Sequence, residues 1–167
     1  MLANDLTNKA DRCSFSGATN MAVFLTSDGG RTWTRSTHCA AVCGSVALAD
    51  RRTVIVGHNE GSTLRTTDFG RSWRPGPRLA PPGGRVEAVM QTFWLQGMDF
   101  ANSKVGYAST KGGGTWRTDD AGLTWTREAS SDSAHQLLVS GDVVALDTER
   151  AVIAGPAVVS VRRTAPV

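Results

Sequence analysis

Thr26-Ser27-Asp28-Gly29-Gly30-Arg31-Thr32-Trp33, Thr66-Thr67-Asp68-Phe69-Gly70-Arg71-Ser72-Trp73 and Thr118-Asp119-Asp120-Ala121-Gly122-Leu123-Thr124-Trp125 are three copies of one pattern, Thr-x-Asp-x-Gly-x-(Ser/Thr)-Trp. Their aspartates lie 40 and 52 residues apart. Self-similarity at such a period is the signature of a repeat architecture. Short strand-like runs stand ahead of each copy: Met21–Leu25, Ser62–Arg65 and Gly114–Arg117. β-Branched and aromatic residues in short runs, punctuated by Gly and Asp, read as strands joined by hairpins. Within each copy the carboxylate of Asp28, Asp68 or Asp120 is suited to accept turn N–H groups. Gly30, Gly70 and Gly122 supply the positive φ that other residues resist. Thr26, Thr66 and Thr118, with Thr32, Ser72 and Thr124, add local hydroxyl hydrogen bonds. Trp33, Trp73 and Trp125 begin the next strand and bring a large apolar face.

All three copies match the Asp box, or BNR repeat, at every defining position, and the chain resembles the Asp-box β-propellers. The wider repeat is most similar to the photosystem II stability and assembly factor family. Gly44–Asp50, Thr53–Gly57 and the second box run in the order of that family's blade. So do Leu95–Phe100, Lys104–Ala108 and the third box. The resemblance covers nearly the whole chain and implies fold far better than activity. It also implies an extracytoplasmic location, although Met1-Leu2-Ala3-Asn4-Asp5 reaches charge at once and shows no signal-peptide core. Many bacterial proteins of this repeat type have other partners than a photosystem.

The 167 residues are enough for a domain with its own core. The 18 glycines and frequent Thr and Val argue for an all-β chain. No stretch approaches the roughly 20 apolar residues of a membrane helix. The net charge of +3 is spread over all the repeats, without the clustering that marks a nucleic-acid footprint. Cys13 reads as a buried small hydrophobe. Cys39-Ala-Ala-Val-Cys43 leaves free thiols and a loop disulfide both open, and supports a metal only weakly because a site needs about four ligands.

The expected organisation is one partial propeller with blades at about 1–37, 44–76, 93–129 and 141–164. Blade one takes Leu2–Thr7, Arg12–Ser16, Met21–Thr26 and Thr32–Ser36. The last takes Asp142–Asp147, Ala151–Gly155 and Val158–Thr164, and no fourth box follows. Propellers typically need four to eight four-stranded blades. This chain supplies about three and three quarters. The expectation is therefore that it does not close alone, and that its open blade edge invites self-association. The longer second spacing reflects an insert loop at 75–92, between Pro75 and Trp94. Arg78, Arg85 and Glu87 are its candidate binding residues. Pro77–Arg85 reads as removable, with Phe93 or Trp94 anchoring the far end.

Catalysis is not expected. The alternative is an incomplete part of a sialidase-like or other glycan-processing propeller. Sialidase chemistry uses an arginine triad, a Tyr nucleophile with a partnering Glu, and an Asp acid/base, and in those enzymes the boxes lie away from the site. Here the one tyrosine, Tyr107, sits in the middle of a predicted strand and reads as packing. His38, His58 and His135 are isolated, Gly112-Gly113-Gly114 lacks the Lys-Ser/Thr of a P-loop, and no Gly-x-Ser-x-Gly elbow occurs. No cofactor or metal is called for. The expected role is a scaffold or binding and assembly module for a protein partner or a glycan, with no nucleic acid.

Overall fold

The computed structural model describes residues 21–39, 43–58, 61–79, 95–110, 114–128, 141–154 and 159–161. All regular elements among them are antiparallel strands. β1 (Met21–Leu25) and β2 (Thr34–Cys39) form a two-stranded sheet. β3 (Cys43–Leu48), β4 (Val54–His58), β5 (Thr63–Thr66) and β6 (Arg74–Gly76) form a four-stranded meander in chain order. β7 (Leu95–Phe100), β8 (Gly106–Thr110), β9 (Gly114–Thr118) and β10 (Thr126–Arg127) repeat it. β11 (Asp142–Ala145), β12 (Ala151–Ala154) and β13 (Val159–Val161) give three strands of a fourth sheet. These sheets are blades 1 to 4 of a propeller arc. Leu2–Thr7 and Arg12–Ser16, expected as the inner strands of blade 1, lie outside the described residues.

The turn between the first two strands is the same in three blades. Asp50 Oδ1 accepts from the N–H groups of Arg52 and Thr53 at 2.7 and 2.8 Å. Asn102 Oδ1 accepts from Lys104 and Val105, both at 2.8 Å. Asp147 Oδ1 accepts from Glu149 and Arg150 at 2.9 and 2.8 Å. A short side chain that satisfies two backbone donors ahead of it sets the strand reversal locally.

The ladders align the blades residue by residue. Leu48 pairs with Val54, Phe100 with Gly106, and Ala145 with Ala151. Side chains alternate across a strand, so each innermost strand shows one face to the blade before it and one to the blade after. Ala47, Ala49 and Ile55 face forward from blade 2 and pack with Leu95, Met98, Ala108 and Trp116 of blade 3. Tyr107 and Val105 face forward from blade 3 and pack with Val143 and Ala151 of blade 4. This second interface carries more polar bonds. Asp99 Oδ2 accepts from Ala145 N–H at 2.9 Å, Ser109 Oγ donates to Gly141 O at 2.6 Å, and Tyr107 Oη donates to Thr148 O at 2.8 Å.

The start of the insert loop corrects one expectation. Leu79 is fully buried in the core between blades 2 and 3, and its N–H donates to Gly61 O at 2.7 Å. Thr63 Oγ1 donates to Pro77 O at 2.8 Å. Pro77–Leu79 is therefore part of blade 2's packing, and a cut beginning at Pro77 would remove a core anchor. Leu95, fully buried, holds the far side. It fits because Gly57 has no Cβ, which would stand 2.7 Å from Leu95 Cδ2. Phe93 and Trp94 lie outside the described residues. Leu79→Ala is expected to cost about 2–5 kcal/mol in urea unfolding. A loss well under 1 kcal/mol would show that the loop start is not anchored there.

Candidate functional site

The three aspartate turns have the same hydrogen bonds. In the first, Thr26 Oγ1 donates to Asp28 Oδ1 at 2.8 Å and accepts from Gly30 N–H at 2.9 Å. Asp28 Oδ1 also accepts from Thr32 N–H at 2.9 Å, and Oδ2 from Thr32 Oγ1 at 2.6 Å. Thr66, Asp68, Gly70 and Ser72 repeat this at 2.7, 2.9, 2.9 and 2.6 Å. Thr118, Asp120, Gly122 and Thr124 do so at 2.8, 3.0, 2.8 and 2.6 Å. Each carboxylate is thus an acceptor surrounded by donors, which favours its ionised form. Hydrogen bonds led by the Thr32 hydroxyl lower Asp28 to about 2. The Ser72 hydroxyl leads those holding Asp68 well below the usual range. Burial pushes Asp120 up, but the combined bonds from Thr124 and Thr118 outweigh it and leave its pKa lowered.

Two consecutive residues in each turn have positive φ. They are Gly29 and Gly30 (72° and 87°), Phe69 and Gly70 (57° and 77°), and Ala121 and Gly122 (59° and 80°). The sequence pattern pointed to the second member only. Phe69 and Ala121 are held in this unfavourable region by bonds to their own blade's first turn. Phe69 N–H donates to Arg52 O and Ala121 N–H to Lys104 O, both at 2.9 Å.

The turns also dock on the preceding blade. Gly70 lies so close to Leu25 and Ser36 of blade 1 that a Cβ would collide with both. Its carbonyl accepts a short hydrogen bond from Ser36 Oγ. Trp73 Nε1 donates to the same Ser36 Oγ at 2.9 Å. In the third turn a Cβ on Gly122 would stand 3.2 Å from Ile55 Cγ1, and Arg65 Nε donates to Ala121 O at 2.9 Å. Trp125 packs edge-on against Phe100, with centroids 6.1 Å apart. Its buried Nε1 has no hydrogen-bond partner among the described residues. Counting from each box Trp, Ser36 of blade 1 corresponds to Gly76 of blade 2, which has no hydroxyl to offer. Gly76 is confined by Thr63, whose hydroxyl occupies the space of a Cβ.

Where the Ser36 lock is missing, a cleft opens. It has a volume of about 550 Å³ and is lined by β5, β6 and the third turn, including Arg65, Arg74, Pro75, Pro77 and Leu123. Leu123 is exposed. Arg74 is exposed and makes no hydrogen bond or ion pair with another described residue. The volume falls within the range typical of ligand clefts. Two guanidinium groups beside proline and leucine side chains suit a carboxylate next to apolar atoms. Sequence reading missed Arg65, Arg74 and Leu123, and the Ser36-to-Gly76 change is the signal that could have found them. Arg78 lies beyond this wall, exposed and with a partner of its own, whereas Arg85 and Glu87 lie outside the described residues. Among the described residues no group of three His, Cys, Asp or Glu side chains could hold a metal ion, and no helix is long and apolar enough to cross a membrane.

No protein-family model matches the chain, and no curated protein matches its sequence. Solved structures do match. One is YCF48 bound to a D1 peptide, with TM-score 0.55 and 19% identity, covering 86% of this chain and 49% of that one. Another is YCF48 from Cyanidioschyzon merolae, with TM-score 0.52 and 14% identity, covering 90% and 51%. A third is the GH74 enzyme of Niastella koreensis, with TM-score 0.42 and 18% identity, covering 66% and 19%; a score this low falls short of a shared fold. The likeness to YCF48 makes this chain a β-propeller. It spans about half the length of the YCF48 chains it matches.

Two outcomes test the turn geometry. The three carboxylates have folded pKa values below their unfolded ones, so their stabilisation is complete above the ordinary carboxylate range and lost as pH falls through the folded values. Urea midpoints should be level from about pH 5 to 7 and fall steadily from about pH 4 toward 2. A midpoint unchanged down to pH 2 would remove the turns as the acid-sensitive element. Asp120→Ala should cost about 1–3 kcal/mol at neutral pH, because it strips the Thr124 N–H and two hydroxyls of their acceptor.

Proposed function

We propose that this chain is a non-catalytic β-propeller module that binds an extended segment of a protein partner and so serves assembly. The three box-like turns are structural in this reading. The observation that carries it is the cleft between blades 2 and 3. Every box carboxylate is engaged by donors of its own turn, and among the described residues none of them forms an ion pair with Arg65 or Arg74 on the cleft wall. Proline and leucine beside those arginines suit an acidic, extended chain with an apolar neighbour. One of the matched propellers was solved with a peptide bound, which supports a peptide as the class of ligand. The insert residues Arg78, Arg85 and Glu87 are proposed to extend this surface.

The glycan-processing reading has less to stand on. Tyr107 is buried in β8 with its hydroxyl committed to Thr148 O. That describes a packing tyrosine rather than an open nucleophile beside a glutamate.

A fluorescent peptide alternating Glu and Leu should bind, and Arg74→Glu should weaken it at least about 10-fold, as loss of a charged anchor in a small interface does. Arg51→Glu, on an exposed turn elsewhere in blade 2, should leave binding within about twofold. Equal losses in both variants would reduce the effect to net charge and sink the cleft reading. No hydrolysis of aryl sialosides is expected. Turnover that vanishes in Tyr107→Phe would promote the glycosidase reading instead.

A further inference from the structure

The third strand of blades 2 and 3 has a neighbour on each side, β4 and β6 for β5, β8 and β10 for β9. β1 holds the same place in blade 1 and, among the described residues, pairs with β2 alone. A groove of about 460 Å³ lies along it, lined by Val23, Leu25 and Trp33 of blade 1 and by Val46, Leu48 and Val56 of blade 2. Val46 and Leu48 belong to the face of β3 that looks toward blade 1, and they are 55% and 56% exposed. The ladders place Met98 of blade 3 and Val143 of blade 4 at the position of Val46, and these are 5% and 7% exposed. The second strand of the preceding blade packs with them. Ile55 of β4 shares a cluster with Met98, and Tyr107 of β8 shares one with Val143.

The sequence ahead of β1 has matching side chains at the matching distance. Ile55 and Tyr107 each stand 13 residues ahead of their box aspartate, and so does Phe15. Thr53 and Val105, two residues earlier, are buried, and Cys13 holds their place in the repeat. Gly57 and Ser109, two residues later, are small where the next blade begins, and Gly17 holds theirs. The hairpin length agrees as well. Val54 pairs with Thr66 and Gly106 with Thr118, and Ser14 stands at the same distance from Thr26. Alternate residues of a strand share a face. Cys13, Phe15 and Gly17 therefore fall on one face, and Ser14 and Ser16 on the other. We propose that the groove is the seat of this chain's own segment 13–17, which pairs antiparallel with β1, Phe15 opposite Leu25, and lays the Phe15 ring over Val46 and Leu48. The groove is then filled from within and is not a second ligand site. This inference rests on the interface between blades 1 and 2, not on the cleft, and stands or falls separately from the peptide-binding reading.

The thiol of Cys13 is the reporter. In the full chain under reducing conditions, N-ethylmaleimide should modify Cys13 at least about 100-fold more slowly than in urea, as read by peptide mass spectrometry, because a seated thiol reacts only through local opening. The protection should be the same from about 1 to about 100 µM, since seating within one chain does not depend on concentration. Leu48→Asp alters an exposed wall of the groove and Phe15→Asp the proposed occupant. Each should speed modification of Cys13 at least about 10-fold, because a carboxylate is set against an apolar contact. Amide exchange in β8 and β9 should stay as in the wild type. Phe15→Leu keeps the apolar contact, and Ser14→Asp lies on the opposite face, so both should leave Cys13 protected. A wild-type Cys13 that reacts at its unfolded rate overturns the proposal, and this reading needs no variant to fold. Protection that falls on dilution, the mark of a strand exchanged between two copies, overturns it too. So does protection that survives Leu48→Asp, since the proposed contact is what links that side chain to Cys13.

Discussion

The carboxylate of the box aspartate is the group on which the rest of the structure depends. As an ion it only accepts, and its two oxygens are met by two hydroxyls and a backbone N–H within seven residues of chain. That satisfaction holds the turn in a form with two successive left-handed residues. The left-handed pair in turn pushes the glycine outward, where the absence of a Cβ lets it meet the preceding blade. A charge interaction of very short range is thereby converted into a long-range packing surface. The cost of the strained Phe69 and Ala121 conformations is offset by their N–H bonds to Arg52 and Lys104.

The blades share this device but not the chemistry around it. Between blades 1 and 2 a serine ties the glycine and the tryptophan together. Between blades 2 and 3 the corresponding residue is Gly76, which lines a cleft, and the Trp125 nitrogen has no partner among the described residues. Apolar packing around Leu79 and Leu95 compensates on the inner side. Between blades 3 and 4 the polar bonds of Asp99, Ser109 and Tyr107 contribute more. A repeat scaffold can vary one interface in this way because each blade contacts only its neighbours. The repeat is broken at the interface between blades 2 and 3, and all three turns have spent their polar groups on the fold.

The sequence by itself determined the strand order among the described residues, the three aspartate turns, the Asp and Asn turns between the first two strands, and the packing role of Tyr107. These are local matters: each depends on groups within about five residues of one another, or on alternation along a single strand. Only the tertiary structure decided which end of a repeat touches which. Ser36 and Gly70 are 34 residues apart in the chain, and Arg65 and Ala121 are 56 apart. It decided that Leu79 belongs to the core although it follows a run of Pro and Gly, because its burial depends on a space that Gly61 and the neighbouring blade leave open. It decided, too, that Arg65 and Arg74 face one cleft. No local pattern encodes these facts, because they arise from the angle at which one twisted sheet meets the next.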